Sequence, residues 1–302
     1  MELAVADRLA GAFLSGSRLR AGSRLMPLGR LIAMYLDFYG LKEQPFNITP
    51  DPRFLVYTDG HREAFDSLLY GIKSRKGFIK MVGEVGTGKT TLCRAVLRTL
   101  PNDVESALIL NPAMDEIQLV SAIMQDLGIP VYCNDRMRLI NLLNAYLLDQ
   151  NRAGRNVVVV IDEAQNLPPA VMEQIRLLSN LETDQDKLMQ IVLAGQPELE
   201  NRLGRNELRQ LRQRIMVSAR LEPLGRKDTG YYISHRLKVA GANGDSGFDS
   251  SAVAAVYRTS HGLPRLVNKI CDLALLAGYA DRSRIIGRKH VRQAISELEG
   301  VI

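Results

Sequence analysis

The chain has 302 residues, 46% hydrophobic and 24% charged, which excludes collagen-like, low-complexity and disulfide-scaffold proteins and leaves room for two globular domains. Lys and Arg exceed Asp and Glu by 39 to 33, for a net charge of +6 and a pI near 9.3. An ordinary solvated surface accounts for so mild an excess, although it also permits contact with nucleic acid or an anionic membrane.

Cys93, Cys133 and Cys271 lie far apart, and the four histidines are equally dispersed, so neither a disulfide framework nor a zinc site is expected. No apolar run approaches the roughly 20 residues of a membrane-spanning helix. These features predict a soluble cytoplasmic protein with no direct membrane insertion.

Residues 1–33 carry five arginines and two acids without clear periodicity or a secretory signal. We read them as a basic extension, disordered or produced by a start-site artefact, with the ordered sequence opening at Met34. From there to Pro223, strands and helices alternate. Gly77–Val82 reads as a strand, Lys89–Leu100 as a helix, Ser106–Asn111 as a strand and Glu116–Leu127 as a helix. Arg136–Asn151 sets Leu139, Leu142, Leu143, Tyr146 and Leu147 on one helical face. Asn156–Ile161 is a β-branched run suited to burial on both sides, Met172–Leu181 reads as a helix, and Leu188–Ala194 as another buried strand. This alternation predicts an α/β fold, a three-layer αβα core with a parallel sheet, over residues 34–223. Beyond it, Thr229–Val239, Ser250–Ser260, Pro264–Ala280 and His290–Leu298 read as helices of a small all-helical domain over 224–302.

Between the first strand and helix, Gly83-Glu84-Val85-Gly86-Thr87-Gly88-Lys89-Thr90 fits G-x-x-x-x-G-K-[ST], and Thr91 is the next residue. A phosphate chain must be wrapped by consecutive backbone N–H groups, and glycine lets the loop approach closely enough. The helix opening at Lys89 aims its positive dipole end at the same place. Lys89 is expected to reach the β- and γ-phosphates of ATP, and Thr90 to coordinate Mg²⁺. Such a string arises by chance in roughly one unrelated chain in a hundred, and the strand–loop–helix context lowers those odds further.

Val157–Ile161 runs directly into Asp162 and Glu163, which brings two carboxylates to the edge of the sheet where ligands bind. Asp162 is expected to hold Mg²⁺, and Glu163 to orient and deprotonate the attacking water. Gln196, just after the Leu188–Ala194 strand, is a candidate sensor of the γ-phosphate. Arg205–Arg214 is a basic stretch with Leu208, Leu211 and Ile215 at helical spacing. A solvated helix face, a nucleic-acid contact and an arginine presented to a neighbouring subunit's nucleotide all fit it. Arg265, beside Pro264 at a helix start, is a candidate link between the helical domain and nucleotide state.

Taken together, G-E-V-G-T-G-K-T, V-V-V-V-I-D-E-A-Q-N-L, A-G-Q-P-E-L, L-R-Q-L-R-Q-R-I and G-L-P-R resemble the AAA+ ATPases of the ExeA/GspA general-secretion family. The segment F-Y-G-L-K-E-Q-P-F-N-I-T-P-D-P-R-F-L resembles that family's opening. The similarity runs from about Met34 to the end, and is greatest to the short MshM-like type associated with biogenesis of the mannose-sensitive haemagglutinin (MSHA) type IV pilus. The resemblance implies that Gly83–Thr91 is the Walker A loop and that Asp162 and Glu163 are the Walker B pair. It makes Gln196 sensor 1, Arg265 sensor 2, and Arg212 or Arg214 a finger acting in trans in a ring or open homo-oligomer. His61 would lie near the adenine. The function implied is an ATPase that powers or regulates assembly of a type IV pilus or secretion complex, with inner-membrane proteins as partners. The alternative is a DNA-binding AAA+ ATPase of the transposition-regulator type, which is less favoured because no helix-turn-helix or aromatic–basic interleaving is present.

Overall fold

The computed structural model describes residues 35–183, 186–244 and 246–299. The basic extension and the start at Met34 lie outside the described residues. Contacts divide the chain into two compact units, Tyr57–Glu222 and a second made of the residues up to Val56 with those from Pro223 onward.

In the first unit, α1 (Asp59–Lys73) precedes β1 (Phe78–Gly83), and α2 (Lys89–Thr99) comes after it. Next come β2 (Val104–Ile109), α3 (Glu116–Asp126), α4 (Arg136–Arg152), β3 (Asn156–Ile161) and α5 (Pro169–Leu178). The unit ends with β4 (Gln190–Gly195), α6 (Pro197–Leu203), α7 (Arg209–Gln213) and β5 (Ile215–Leu221). The five strands are ordered β2-β3-β4-β1-β5 and all adjacent pairs are parallel. The fold is therefore the α/β, parallel-sheet architecture that the alternation predicts.

Every residue of β3 and β4 is buried, which is why both strands read as continuous apolar runs. At about 1.5–3 kcal/mol for each fully buried aliphatic side chain, this centre supplies much of the unit's cohesion. Registers pair Val82 with Gly195, Gly83 with Leu221 and Ile161 with Leu193. The carboxyl ends of β1, β3 and β4 consequently finish side by side, and the loops after them meet at one edge.

Several elements differ from the sequence expectation. The Arg205–Arg214 stretch holds only a 3₁₀ turn and the short α7, and its hydrophobic Ile215 begins β5 instead of ending a helix. β5 is an edge strand with exposed Met216, Ser218 and Arg220, so its composition hides it. α5 starts at Pro169 rather than Met172, because proline suits a first helical turn, whose N–H has no partner to lose.

The second unit contains α8 (Arg226–Val239), α9 (Ser250–Ser260), α10 (Pro264–Ala280) and α11 (Arg288–Glu299). It also contains a two-strand parallel bridge of β6 (Gly247–Phe248) and β7 (Ile285–Ile286). Residues 35–56, which strand–helix alternation grouped with the α/β core, pack here. Tyr35, Tyr39 and Phe46 are buried in the helical unit's core, and the Tyr39 hydroxyl donates to the Leu275 carbonyl at 2.9 Å. Arg236 donates to the carbonyls of Pro45 and Asn47 and lies 4.6 Å over the Phe54 ring. Gly262 has φ +76°, and a Cβ there would come within 1.9 Å of the Leu224 carbonyl, so only glycine fits before Pro264 and Arg265.

Candidate functional site

The phosphate-type loop leaves β1 without a break. Gly86 and Gly88 have φ of +82° and +102°, a region closed to most side chains, and Gly88 caps α2 with no side-chain hydrogen bond. The first N–H groups of α2 are thus left to an incoming anion. The loop is pinned internally by Thr87, whose hydroxyl donates to the Glu84 carbonyl at 2.9 Å. Lys89 is buried, and its Nζ donates to the carbonyls of Gly83 at 2.8 Å and Glu84 at 3.0 Å. Burial lowers the pKa of this ammonium, while the charges of Glu163, Asp162 and Glu84 oppose that shift.

The Thr90 hydroxyl donates to Asp162 Oδ2. Asp162 is 2% exposed, and its own N–H donates to the Ile109 carbonyl at 2.8 Å, which continues the β2–β3 ladder. Burial raises its carboxyl pKa. The Thr90 hydroxyl and the Glu163 N–H, which donates to Oδ1 at 2.9 Å, pull the other way. Glu163 sits in the left-handed region at φ +51°, a conformation that costs a non-glycine residue about 1 kcal/mol or more and recurs at functional sites. Its Oε2 accepts from Gln196 Nε2 at 2.9 Å and from Gln165 Nε2 at 2.5 Å.

One edge of the sheet therefore gathers Gly83–Thr91, Asp162, Glu163 and Gln196. His61, on α1, is also brought here. Its Nδ1 lies 2.7 Å from the Thr58 hydroxyl, and its Nε2 lies 3.4 Å from the Thr87 carbonyl. Gln165 is a site residue that sequence reasoning misses. Its place two residues after Glu163, in a 3₁₀ turn that returns toward the sheet edge, is the signal that could flag it.

Arg212 and Arg214 lie away from this edge. Arg214 precedes β5 at the opposite edge of the sheet and donates to the Ser179 hydroxyl at 2.6 Å. With Lys76 and Lys187 it lines a cleft of about 230 Å³. Arg212 is exposed on α7 and donates to the Gly204 carbonyl at 3.2 Å. Arg265 is exposed in the first turn of α10, in the helical unit.

Residues 72–203 match the AAA domain family. General secretion pathway protein A of Aeromonas hydrophila is 44% identical over 269 residues, which are 89% of this chain and 49% of that protein. The chain thus spans about half the length of this relative. The domain match and the identity support the ExeA/GspA family.

Among solved structures, the ORC2 protein of Aeropyrum pernix, in its ADPNP–ADP complexes, has a TM-score of 0.66 at 16% identity. That alignment covers 85% of this chain and 72% of the ORC2 chain. The RuvB Holliday junction branch migration motor of Thermotoga maritima has a TM-score of 0.55 at 16% identity, over 82% of this chain and 73% of that chain. At such identities the likeness is one of fold, the AAA P-loop architecture.

Proposed function

We propose, from the premise that this chain is an AAA P-loop NTPase by fold with ExeA/GspA-like sequence, that it binds ATP and hydrolyses it to ADP and phosphate. The observation that carries the reading is the convergence at one sheet edge of a glycine loop with a buried lysine, the Thr90–Asp162 pair, and a glutamate held by Gln196.

Lys89 Nζ, now bonded to loop carbonyls, is the mobile cation for the β- and γ-phosphates, and the N–H groups opening α2 bind the same oxygens. Thr90 and Asp162 present adjacent oxygen donors, the chemistry that Mg²⁺ prefers. Among the described residues no group of three or more His, Cys, Asp or Glu could hold a metal ion, so these two would supply only part of an octahedral shell. When bound, Mg²⁺ offsets charge on the phosphate oxygens. Glu163 takes a proton from the water that attacks the γ-phosphorus as the bond to the ADP oxygen breaks, and Gln196 holds the carboxylate on the sheet edge.

Arg212 or Arg214 would act on a neighbouring subunit's nucleotide in a ring or open homo-oligomer, and Arg265 would report nucleotide state to the helical unit. The cellular role we infer is to power or regulate assembly of a general-secretion or MSHA-like type IV pilus complex through inner-membrane partners. Among the described residues no helix is long and apolar enough to cross a membrane.

Calorimetric titration of the full chain with Mg-ATP, combined with an assay of phosphate release, tests the reading. Saturable binding and turnover are expected, and absence of both would sink it. Tight, salt-sensitive duplex DNA binding that strengthens with ATP would instead favour the DNA-binding alternative.

A further inference from the structure

We propose that Gln165 is a positioning residue for hydrolysis, whose side chain locks the Glu163 carboxylate against the tip of β4. The inference rests on the ATPase reading above, in which Glu163 accepts the proton and Gln165 has no role.

The Gln165 carboxamide is used in both senses. Its Nε2 donates to Glu163 Oε2 at 2.5 Å, and its Oε1 accepts the backbone N–H of Gln196 at 3.0 Å. Gln196 Nε2 donates to the same Glu163 Oε2 at 2.9 Å, so the three residues close a ring of hydrogen bonds. Glutamate lacks the donor, lysine lacks the acceptor and leucine lacks both, so a carboxamide is the group that completes it. The backbone has been cleared for this amide: a Cβ on Gly195 would come within 2.9 Å of Gln165 Oε1. The turn bearing Gln165 is anchored from its other side by Arg202 of α6, which donates to the carbonyls of Gln165 and Leu167.

This bracing fits the demands on Glu163. Its left-handed backbone is held by its N–H on Asp162 Oδ1 and by the Asn166 N–H on its carbonyl at 2.9 Å. The side chain beyond still has three rotatable bonds. An oxygen that must meet a water in line with a phosphorus loses rate steeply when it wanders by about 1 Å. Two carboxamides on one oxygen fix where the other oxygen points, and loss of Gln165 removes one of the two.

The test uses the full chain with Gln165→Leu, which keeps the approximate size and removes both bonds, and Gln165→Glu, which keeps the acceptor but not the donor. Neither atom belongs to the phosphate loop, so the Kd and KM for Mg-ATP should stay within about twofold of wild type. The kcat should fall on the order of ten- to a hundredfold in both variants. In a Glu163→Gln background, adding Gln165→Leu should produce no further loss of single-turnover rate, because the group it positions is already gone.

A kcat equal to wild type in both variants would overturn the inference while leaving the ATPase reading standing. So would a full additional loss in the Glu163→Gln background, which marks a general structural role. A wild-type chain that turns over no ATP would overturn both.

Discussion

Thr90 and Asp162 stand 72 positions apart in the chain, yet the hydroxyl of one donates directly to the carboxylate of the other. The link arises because β1 and β3 flank β4 in a parallel sheet, so the segments that leave their carboxyl ends emerge at a common edge. Thr90 lies one residue into α2, on the turn facing that edge. Two oxygens of different residues thus reach hydrogen-bond distance with no covalent neighbour between them.

Lys89→Ala should remove nucleotide binding. The wild-type melting point should rise with Mg-ATP, by about 2.7 kcal/mol of added stability at a hundred times Kd, and the variant should show no shift. A variant that still melts later with ATP would detach Lys89 from the phosphates.

Glu163→Gln should keep ATP binding and lose turnover by about 10²–10⁴-fold, the range of a positioned proton acceptor. Single-turnover phosphate release reads this directly. A loss below about threefold would mean that the proton leaves by another route.

If Arg212 or Arg214 completes a neighbour's site, specific activity should climb with protein concentration through the assembly range. Alanine at the operative arginine should then cost on the order of 10³-fold in kcat with ATP affinity kept. Mixing that variant with Lys89→Ala protein should restore activity in trans. Strict proportionality of rate to enzyme through assembly would rule such an arginine out.

Asp272, partly buried on α10 with the Tyr35 hydroxyl 3.4 Å away, has its carboxyl pushed up to about 6, chiefly by burial. The folded state therefore holds this proton more tightly than the unfolded chain. Stability from the group is complete below about pH 4 and is lost as pH rises through about 6. Asp272→Asn should thus raise stability at pH 7.5, by on the order of 1–3 kcal/mol, and leave it unchanged near pH 4. Thermal melts at the two pH values check this, and an equal gain at both would refute the titration.

Much of the site is readable in the chain because it is contiguous. Gly83–Thr91 and Asp162–Glu163 each sit on a buried strand end, and apolar periodicity exposes such strands. The features that escape are those that depend on partners distant in sequence. β5 is a half-exposed edge whose first residue, Ile215, passes for the end of a helical stripe begun by Leu208 and Leu211. Gln165 reads as a loop amide until β4 is set beside it, since one of its bonds is to Gln196, 31 residues on. Tyr35, Tyr39 and Phe46 carry no mark that their cavity is made by helices beginning almost two hundred residues later.

The strand order has a consequence for synthesis. Among the described residues β1 has no sheet neighbour before Gln190, because its two partners are β4 and β5. While the chain leaves the ribosome, the glycine loop must wait for over a hundred residues beside an unpaired apolar strand. Ligand cannot hasten that stage, since the surface it grips does not yet exist, and the half-made chain is the form most open to misassociation or chaperone capture.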